Sequence, residues 1–180
     1  LISSISNDSS NKNKLNVKHI SPYLLSKSLC NLQKETDTTD ELESKKKIKG
    51  IQLLNEIWNL QTKKTMSMKQ LIPVLDMSLN MHQKGCLLTG ISLALRIAEK
   101  SSFGKRILTY GSEKPLWLNL DTFTNFSQMF NHVYNTTCGY SNNIENCMKT
   151  FIDCVSKDNI SSESLQEFTF VFLSNFEIET

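Results

Sequence analysis

Three polar side chains, Asp76, Ser78 and Asn80, occupy alternate positions directly after an apolar run at 71–75. A short apolar run rich in branched residues is typical of a buried strand. In open α/β sheets, ligands bind just beyond the carboxyl ends of such strands. Carboxylate, hydroxyl and amide oxygens are also suitable ligands for a hard cation such as Mg²⁺. These residues therefore indicate a candidate site, although Asp and Ser equally cap helices and form turns.

The chain after residue 66 is predicted to alternate between strands and helices. We predict strands over 71–76, 106–110, 115–120 and 168–173, and helices over 85–100, 124–135 and from Ile144 onward. The short turn at 111–114 makes the second and third strands an antiparallel hairpin, and the remaining connections are long enough for parallel pairing. The prediction is an α/β fold: a doubly wound, mostly parallel Rossmann-like sheet with one antiparallel edge strand. The first and last strands then lie side by side, which brings Asn175 and the 139–143 loop near Asp76.

The part of the chain before the sheet is predicted to be a disordered lead-in followed by a helical segment. Residues 1–18 are polar and without periodicity. A helix can begin at Ser21 and Pro22, and a second can begin at 39 or 40. We therefore divide the chain into a lead-in (1–18), a helical segment (19–66) and a sheet domain (67–180). The second helix carries a basic run, which we interpret as a solvated face, with RNA contact as the alternative: Lys45, Lys46, Lys47 and Lys49.

Composition and motifs exclude several classes of protein. A formal net charge of +2 does not favour nucleic acid or membrane surfaces, and no apolar run of about 18 residues indicates a membrane span. The five cysteines show no CxxC spacing, which predicts reduced thiols in an intracellular, cytoplasmic protein. The sequence contains no HExxH motif and no glycine-rich phosphate loop, and Ser78 lacks a neighbouring base. We therefore expect a protein that is not an enzyme.

Two loops and the final strand resemble those of a von Willebrand factor A domain. The run IPVLDMSLNM at 72–81 resembles the first strand and metal loop of that family, whose loop reads Asp-x-Ser-x-Ser and binds Mg²⁺. The CGYSNN loop at 138–143 resembles the second metal loop, and the FVFLSN run resembles the fourth strand. Residues 18–180 as a whole resemble uncharacterised proteins of plants and large DNA viruses. In those proteins a helical segment similar to the RNA-binding modules of the Ro autoantigen precedes an A domain.

The resemblance implies a metal site with substitutions at three of its five positions. The implied ligands are Asp76, Ser78, Asn80, Asn142 and Asn175. Asn80 stands where the family has Ser, Asn142 where it has Thr, and Asn175 where it has Asp. Replacing one of two carboxylates by an amide should weaken Mg²⁺ binding by more than about tenfold. The last two strands and the final helix of the family are missing, so we expect an open sheet edge and a chain that is a fragment.

Three hypotheses follow. The first is a binding or scaffold module that presents the ends of its strands to a protein partner, with Mg²⁺ as its cofactor and a partner carboxylate completing the metal shell. The second is RNA binding through the helical segment and its lysines. The third is a degenerate paralogue without a ligand. The partner itself is not identified by the sequence.

Overall fold

The computed structural model describes residues 20–34, 41–111, 114–136, 139, 143–157 and 162–175. Two helices come first, α1 (Pro22–Lys34) and α2 (Glu41–Lys64), and the sheet begins with β1 (Leu71–Asp76). The remaining elements follow in chain order: α3 (Leu79–Gln83), α4 (Leu87–Ala98), β2 (Arg106–Tyr110), β3 (Trp117–Asn119), α5 (Phe126–Tyr134), α6 (Ile144–Lys157), α7 (Ser162–Leu165) and β4 (Thr169–Leu173). Among the described residues, no helix has both the length and the apolar character needed to cross a membrane.

The four strands form one sheet in the order β3-β2-β1-β4. β1 pairs in parallel with both β2 and β4, and β2 pairs antiparallel with β3. The predicted α/β class, the antiparallel hairpin and the neighbouring positions of the first and last strands are confirmed. β4 forms one edge of the sheet, because in the described part of the chain no strand pairs with its outer side.

Helices cover both faces of the sheet because successive strand residues point to opposite faces. Leu75 belongs to a large apolar cluster with α4 and α5. Ile72 and Val74 belong to a second cluster, which α6 covers through Cys147, Phe151 and Val155. The sheet is therefore the middle layer between two layers of helices.

The two helices that precede the sheet share its larger apolar cluster. Leu25 and Leu29 of α1 are fully buried in this cluster, as is Trp58 of α2, whose ring stacks on Phe126 at 4.2 Å between centroids. At the start of α1, the Leu24 N–H donates to the Ser21 hydroxyl at 3.2 Å, which confirms the predicted N-cap. α1 and α2 thus form an outer layer over α4 and α5.

Several local predictions were wrong in detail. The apolar spacing of the two helices places Leu24, Ile48 and Leu60 in the core. All three are exposed, since the buried side of α1 centres on Leu25 and Leu29 and that of α2 begins only at Gly50. The short helices α3 and α7 were not predicted. The third strand is shorter than the predicted 115–120, because its ladder with β2 extends only from 117 to 119.

Candidate functional site

The candidate site lies where β1, β2 and β4 end, and it is built on one row of side chains across the sheet. Asp76 is the register partner of Tyr110. Leu75 is the register partner of Leu173, so the next residue of β1, Asp76, faces Ser174. The Ser174 hydroxyl donates a hydrogen bond of 2.6 Å to Asp76 Oδ2. Tyr110, Asp76 and Ser174 therefore stand side by side on the face that α6 covers.

The Asp76 carboxylate is almost completely buried and accepts hydrogen bonds at both oxygens. It is 2 % exposed. Its Oδ1 accepts from the Ser78 backbone N–H at 2.8 Å, and this hydrogen bond closes a local turn over residues 76–78. Its Oδ2 accepts from Ser174. Two charge-assisted hydrogen bonds of this kind offset part of the cost of burying a carboxylate.

The Ser78 side chain is buried without a hydrogen-bond partner. Ser78 is the N-cap of α3, yet its side chain makes no capping hydrogen bond, although an N-cap serine usually accepts from the backbone of the first turn. The residue is 4 % exposed, and its Oγ has no partner among the described residues. The capping role considered from the sequence therefore does not account for this hydroxyl.

Ser78 is one of three residues with an unpartnered buried polar atom in the part of the chain that the structure describes. The three atoms are Ser78 Oγ, Tyr110 Oη and Asn175 Nδ2. Each residue stands at, or two positions beyond, the end of a different strand: β1, β2 or β4. Buried polar groups in folded proteins are usually hydrogen-bonded, so three exceptions among the described residues mark this end of the sheet as the candidate site.

The surroundings of Tyr110 extend the pH range over which its phenol stays neutral. Burial raises the pKa of Tyr110 to about 12, and the nearby Asp76 and Cys147 act in the same direction. The Ser174 hydroxyl lowers this pKa, although the phenol oxygen does not meet hydrogen-bond geometry with any described residue. Tyr110 therefore offers a neutral O–H group near physiological pH.

The backbone of two glycines, Gly111 and Gly139, lies against the candidate site. Gly111 has φ +76, and a Cβ there would lie 2.6 Å from Asp76 Oδ1 and 2.7 Å from the Ser78 backbone nitrogen. The Gly139 N–H donates to the Gly111 carbonyl at 2.9 Å, and the Gly139 carbonyl accepts from Leu79 N–H at 3.3 Å. The backbone at Gly139 thus bridges the chain segments that follow β1 and β2.

The structure brings together only some of the residues predicted for the site. Asp76, Ser78 and the Gly139 backbone are in contact, and Asn175 directly follows Ser174. Asn80 is exposed in the first turn of α3, and Asn142 lies outside the described residues. The sequence did not predict that Tyr110, Gly111 and Ser174 belong to the site. Their signal in the sequence was their position at strand ends, since residues at the carboxyl ends of neighbouring parallel strands lie side by side.

The described residues at this end of the sheet offer oxygen atoms of the kind that Mg²⁺ prefers, and they include one carboxylate, that of Asp76. Within the described ranges, no three His, Cys, Asp or Glu side chains come together. Magnesium, however, is commonly held by one or two carboxylates while it keeps several waters. Asp76 offers the carboxylate and Ser78 an unpartnered hydroxyl oxygen. A bound ion would supply a positive centre that attracts an anionic group of a partner.

The lysines of the alternative hypothesis lie on the first half of α2. Lys45, Lys46 and Lys49 are exposed, and Lys47 is half-buried. Lys45 Nζ lies 2.6 Å from Glu41 Oε1 in an exposed ion pair, which reduces the positive charge of this surface. Contacts of this kind contribute little to stability.

The chain matches no protein-family model, no curated protein and no solved structure.

Proposed function

We propose that this chain is a binding module, not an enzyme, whose contact site is the end of the sheet around Asp76. In this proposal, which is that of an A-domain-like module, Asp76 and Ser78 hold Mg²⁺, and a carboxylate of a protein partner completes the metal shell. The observation that carries it is the Ser78 hydroxyl, which is buried beside the Asp76 carboxylate and has no partner among the described residues. A metal ion, or the water that it carries, accounts for this oxygen.

The same hydroxyl argues for binding rather than covalent catalysis. A nucleophilic serine is activated by a base within hydrogen-bond reach. No described residue forms a hydrogen bond with Ser78 Oγ. The backbone of residue 78 is instead fixed by Asp76 and Gly139, an arrangement that positions an oxygen ligand.

The test is calorimetric titration of Mg²⁺ and Mn²⁺ into the wild-type protein, Asp76→Ala and Asp153→Ala. Asp153 is exposed on α6, so its substitution controls for the loss of a surface charge. We expect saturable binding in the wild type and in Asp153→Ala, and none in Asp76→Ala. Equal binding by all three proteins, or no binding by the wild type, would contradict the proposal.

A second titration addresses the partner. A short peptide with a single Asp side chain is added to the protein with and without Mg²⁺, and the same peptide with Asn serves as the control. We expect binding of the Asp peptide only when Mg²⁺ is present. A salt-sensitive interaction with single-stranded RNA that is lost when Lys45, Lys46 and Lys49 are changed to Gln would support the RNA hypothesis instead.

A further inference from the structure

A further inference about the same site starts from the phenol of Tyr110, which has no hydrogen-bond partner among the described residues. This inference rests on the proposed function. Tyr110 is 2 % exposed, and its Oη is buried without a hydrogen-bond partner among the described residues. The ring is fixed in place: it belongs to the apolar cluster beneath α6 and packs edge-on against Phe172 at 6.0 Å between centroids. The ring therefore has a defined position on a strand residue that is the register partner of Asp76.

A hydrated cation would account for all three unpartnered atoms at once. Ser78 Oγ and Tyr110 Oη are oxygens. The third atom is Asn175 Nδ2, and a half-turn of that amide exchanges its nitrogen for Oδ1, an assignment that hydrogen-bonding partners decide. After this exchange, oxygens from three strand ends accompany the Asp76 carboxylate. Oxygen groups of this kind accept hydrogen bonds from the waters that Mg²⁺ keeps.

We propose that Tyr110 is a positioning residue of the cation site, whose hydroxyl oxygen accepts a hydrogen bond from a water of the bound Mg²⁺. The resemblance did not point to this residue, and its signal in the sequence was only its position at the end of β2. The role differs from that of Asp76 and Ser78, because Tyr110 acts on the hydrated ion and leaves the carboxylate and its two hydrogen bonds intact. Removing the hydroxyl should therefore weaken metal binding without abolishing it.

The experiment compares Tyr110→Phe with Tyr134→Phe, a matched control on α5. The Tyr134 ring stacks on Phe130 and is half-buried. Titration calorimetry with Mg²⁺ alone should show roughly three- to tenfold weaker binding for Tyr110→Phe, the effect of one lost hydrogen bond. Binding by Tyr134→Phe should equal that of the wild type.

Thermal unfolding of the same proteins separates this role from a purely structural one. In EDTA, Tyr110→Phe should unfold at the wild-type temperature or above it, because the substitution removes an unsatisfied buried hydroxyl. With Mg²⁺ present, the wild type should gain more thermal stability than the variant. An equal loss of stability with and without Mg²⁺ would mean that the phenol pairs within the protein, and would overturn the inference.

The outcomes also distinguish failure of this inference from failure of the proposed function. If the wild type binds Mg²⁺ and Tyr110→Phe binds it equally well, only the role of Tyr110 is overturned. If the wild type binds no Mg²⁺ while it remains folded, both are overturned.

Discussion

Asp76 and Ser174 lie 98 residues apart in the chain and are joined by a hydrogen bond of 2.6 Å between the carboxylate and the hydroxyl. The bond connects the end of the first strand to the end of the last. It forms because β1 and β4 pair in parallel with a register that places the two residues opposite each other. The hydrogen bond is therefore a direct consequence of the strand order, and it contributes to the placement of the buried carboxylate.

Substitution of Ser174 by Ala should destabilise the protein by about 1–3 kcal/mol, because one oxygen of a buried carboxylate loses its donor. Urea unfolding measures the change. Ser67→Ala, at an exposed serine in the loop after α2, should change the free energy of unfolding by less than about 0.5 kcal/mol. Equal effects of the two substitutions would show that the Asp76–Ser174 hydrogen bond does not stabilise the fold.

Gly111 should tolerate substitution far less well than Gly85, although both have a positive φ, +76 and +70. Alanine at either position incurs the cost of the left-handed conformation, about 1–2 kcal/mol. At Gly85 the new methyl group would meet nothing within 4 Å, whereas at Gly111 it would meet Asp76 Oδ1 at 2.6 Å.

The difference between the two variants isolates the steric requirement of the site. In urea unfolding, Gly111→Ala should be less stable than Gly85→Ala by at least about 1 kcal/mol, a cost typical of an overpacked interior. Gly111→Ala should also lose Mg²⁺ binding, because Asp76 must move. Equal stability of the two variants would contradict the close approach of Gly111 to Asp76.

The sheet could be predicted from the sequence because its signals are local. The run at 71–75 and the strand at 106–110 are short, apolar and flanked by turn residues, and their bounds were correct within a residue. The short turn between β2 and β3 favours a hairpin, and the longer connections are long enough for parallel pairing. Strand order then followed from general rules of topology.

Most of the site could not be predicted, because it depends on contacts between distant residues. Asp76 and Ser78 were found since they directly follow the first strand. The role of Ser174 depends on the register of β4 against β1, and that of Gly111 on the approach of one loop to another. Neither register nor loop packing is encoded in a local pattern, since a shift of one residue reverses which side chains face the site.

Trp58 and Arg96 form a second buried polar cluster, which joins α2 to α4. The Arg96 guanidinium lies over the Trp58 ring at 3.7 Å from its centroid and donates to the Trp58 carbonyl at 3.3 Å and to the Thr62 hydroxyl. Glu99 accepts from Trp58 Nε1 at 2.7 Å. Burial lowers the pKa of Arg96, and Glu99 opposes this shift.

Substitution of Arg96 by Met should destabilise the protein by about 2–4 kcal/mol, because it removes a buried cation that satisfies several acceptors and leaves Glu99 without its counter-charge. Lys100→Met, at a half-buried lysine near the same helix end, is the control and should have little effect. The measurement is urea unfolding followed by both circular dichroism and tryptophan fluorescence.

Circular dichroism and tryptophan fluorescence together also test whether α1 and α2 unfold in the same transition as the sheet. Because Trp58 belongs to the same apolar cluster as Leu75, we expect coincident transitions in the wild type and in Arg96→Met. A transition of α1 and α2 that precedes unfolding of the sheet would show that the helical segment is an independent unit.

Asp121 should give the stability of the protein a dependence on acidic pH. The hydrogen bond from Arg106 is the largest cause that lowers the pKa of Asp121 below 3.8, and the Lys105 N–H contributes in the same direction. A carboxyl group whose pKa is lower in the folded state stabilises the fold above its unfolded pKa, and this contribution is lost as the pH falls. Wild type should therefore be more stable than Asp121→Asn at pH 7, and the difference should shrink as the pH falls below 3.8 and through the lower pKa of the folded state. Urea unfolding of both proteins across this range is the measurement, with Asp153→Asn as the exposed control. A difference that stays constant with pH would show that the Asp121 carboxylate is not stabilised by Arg106.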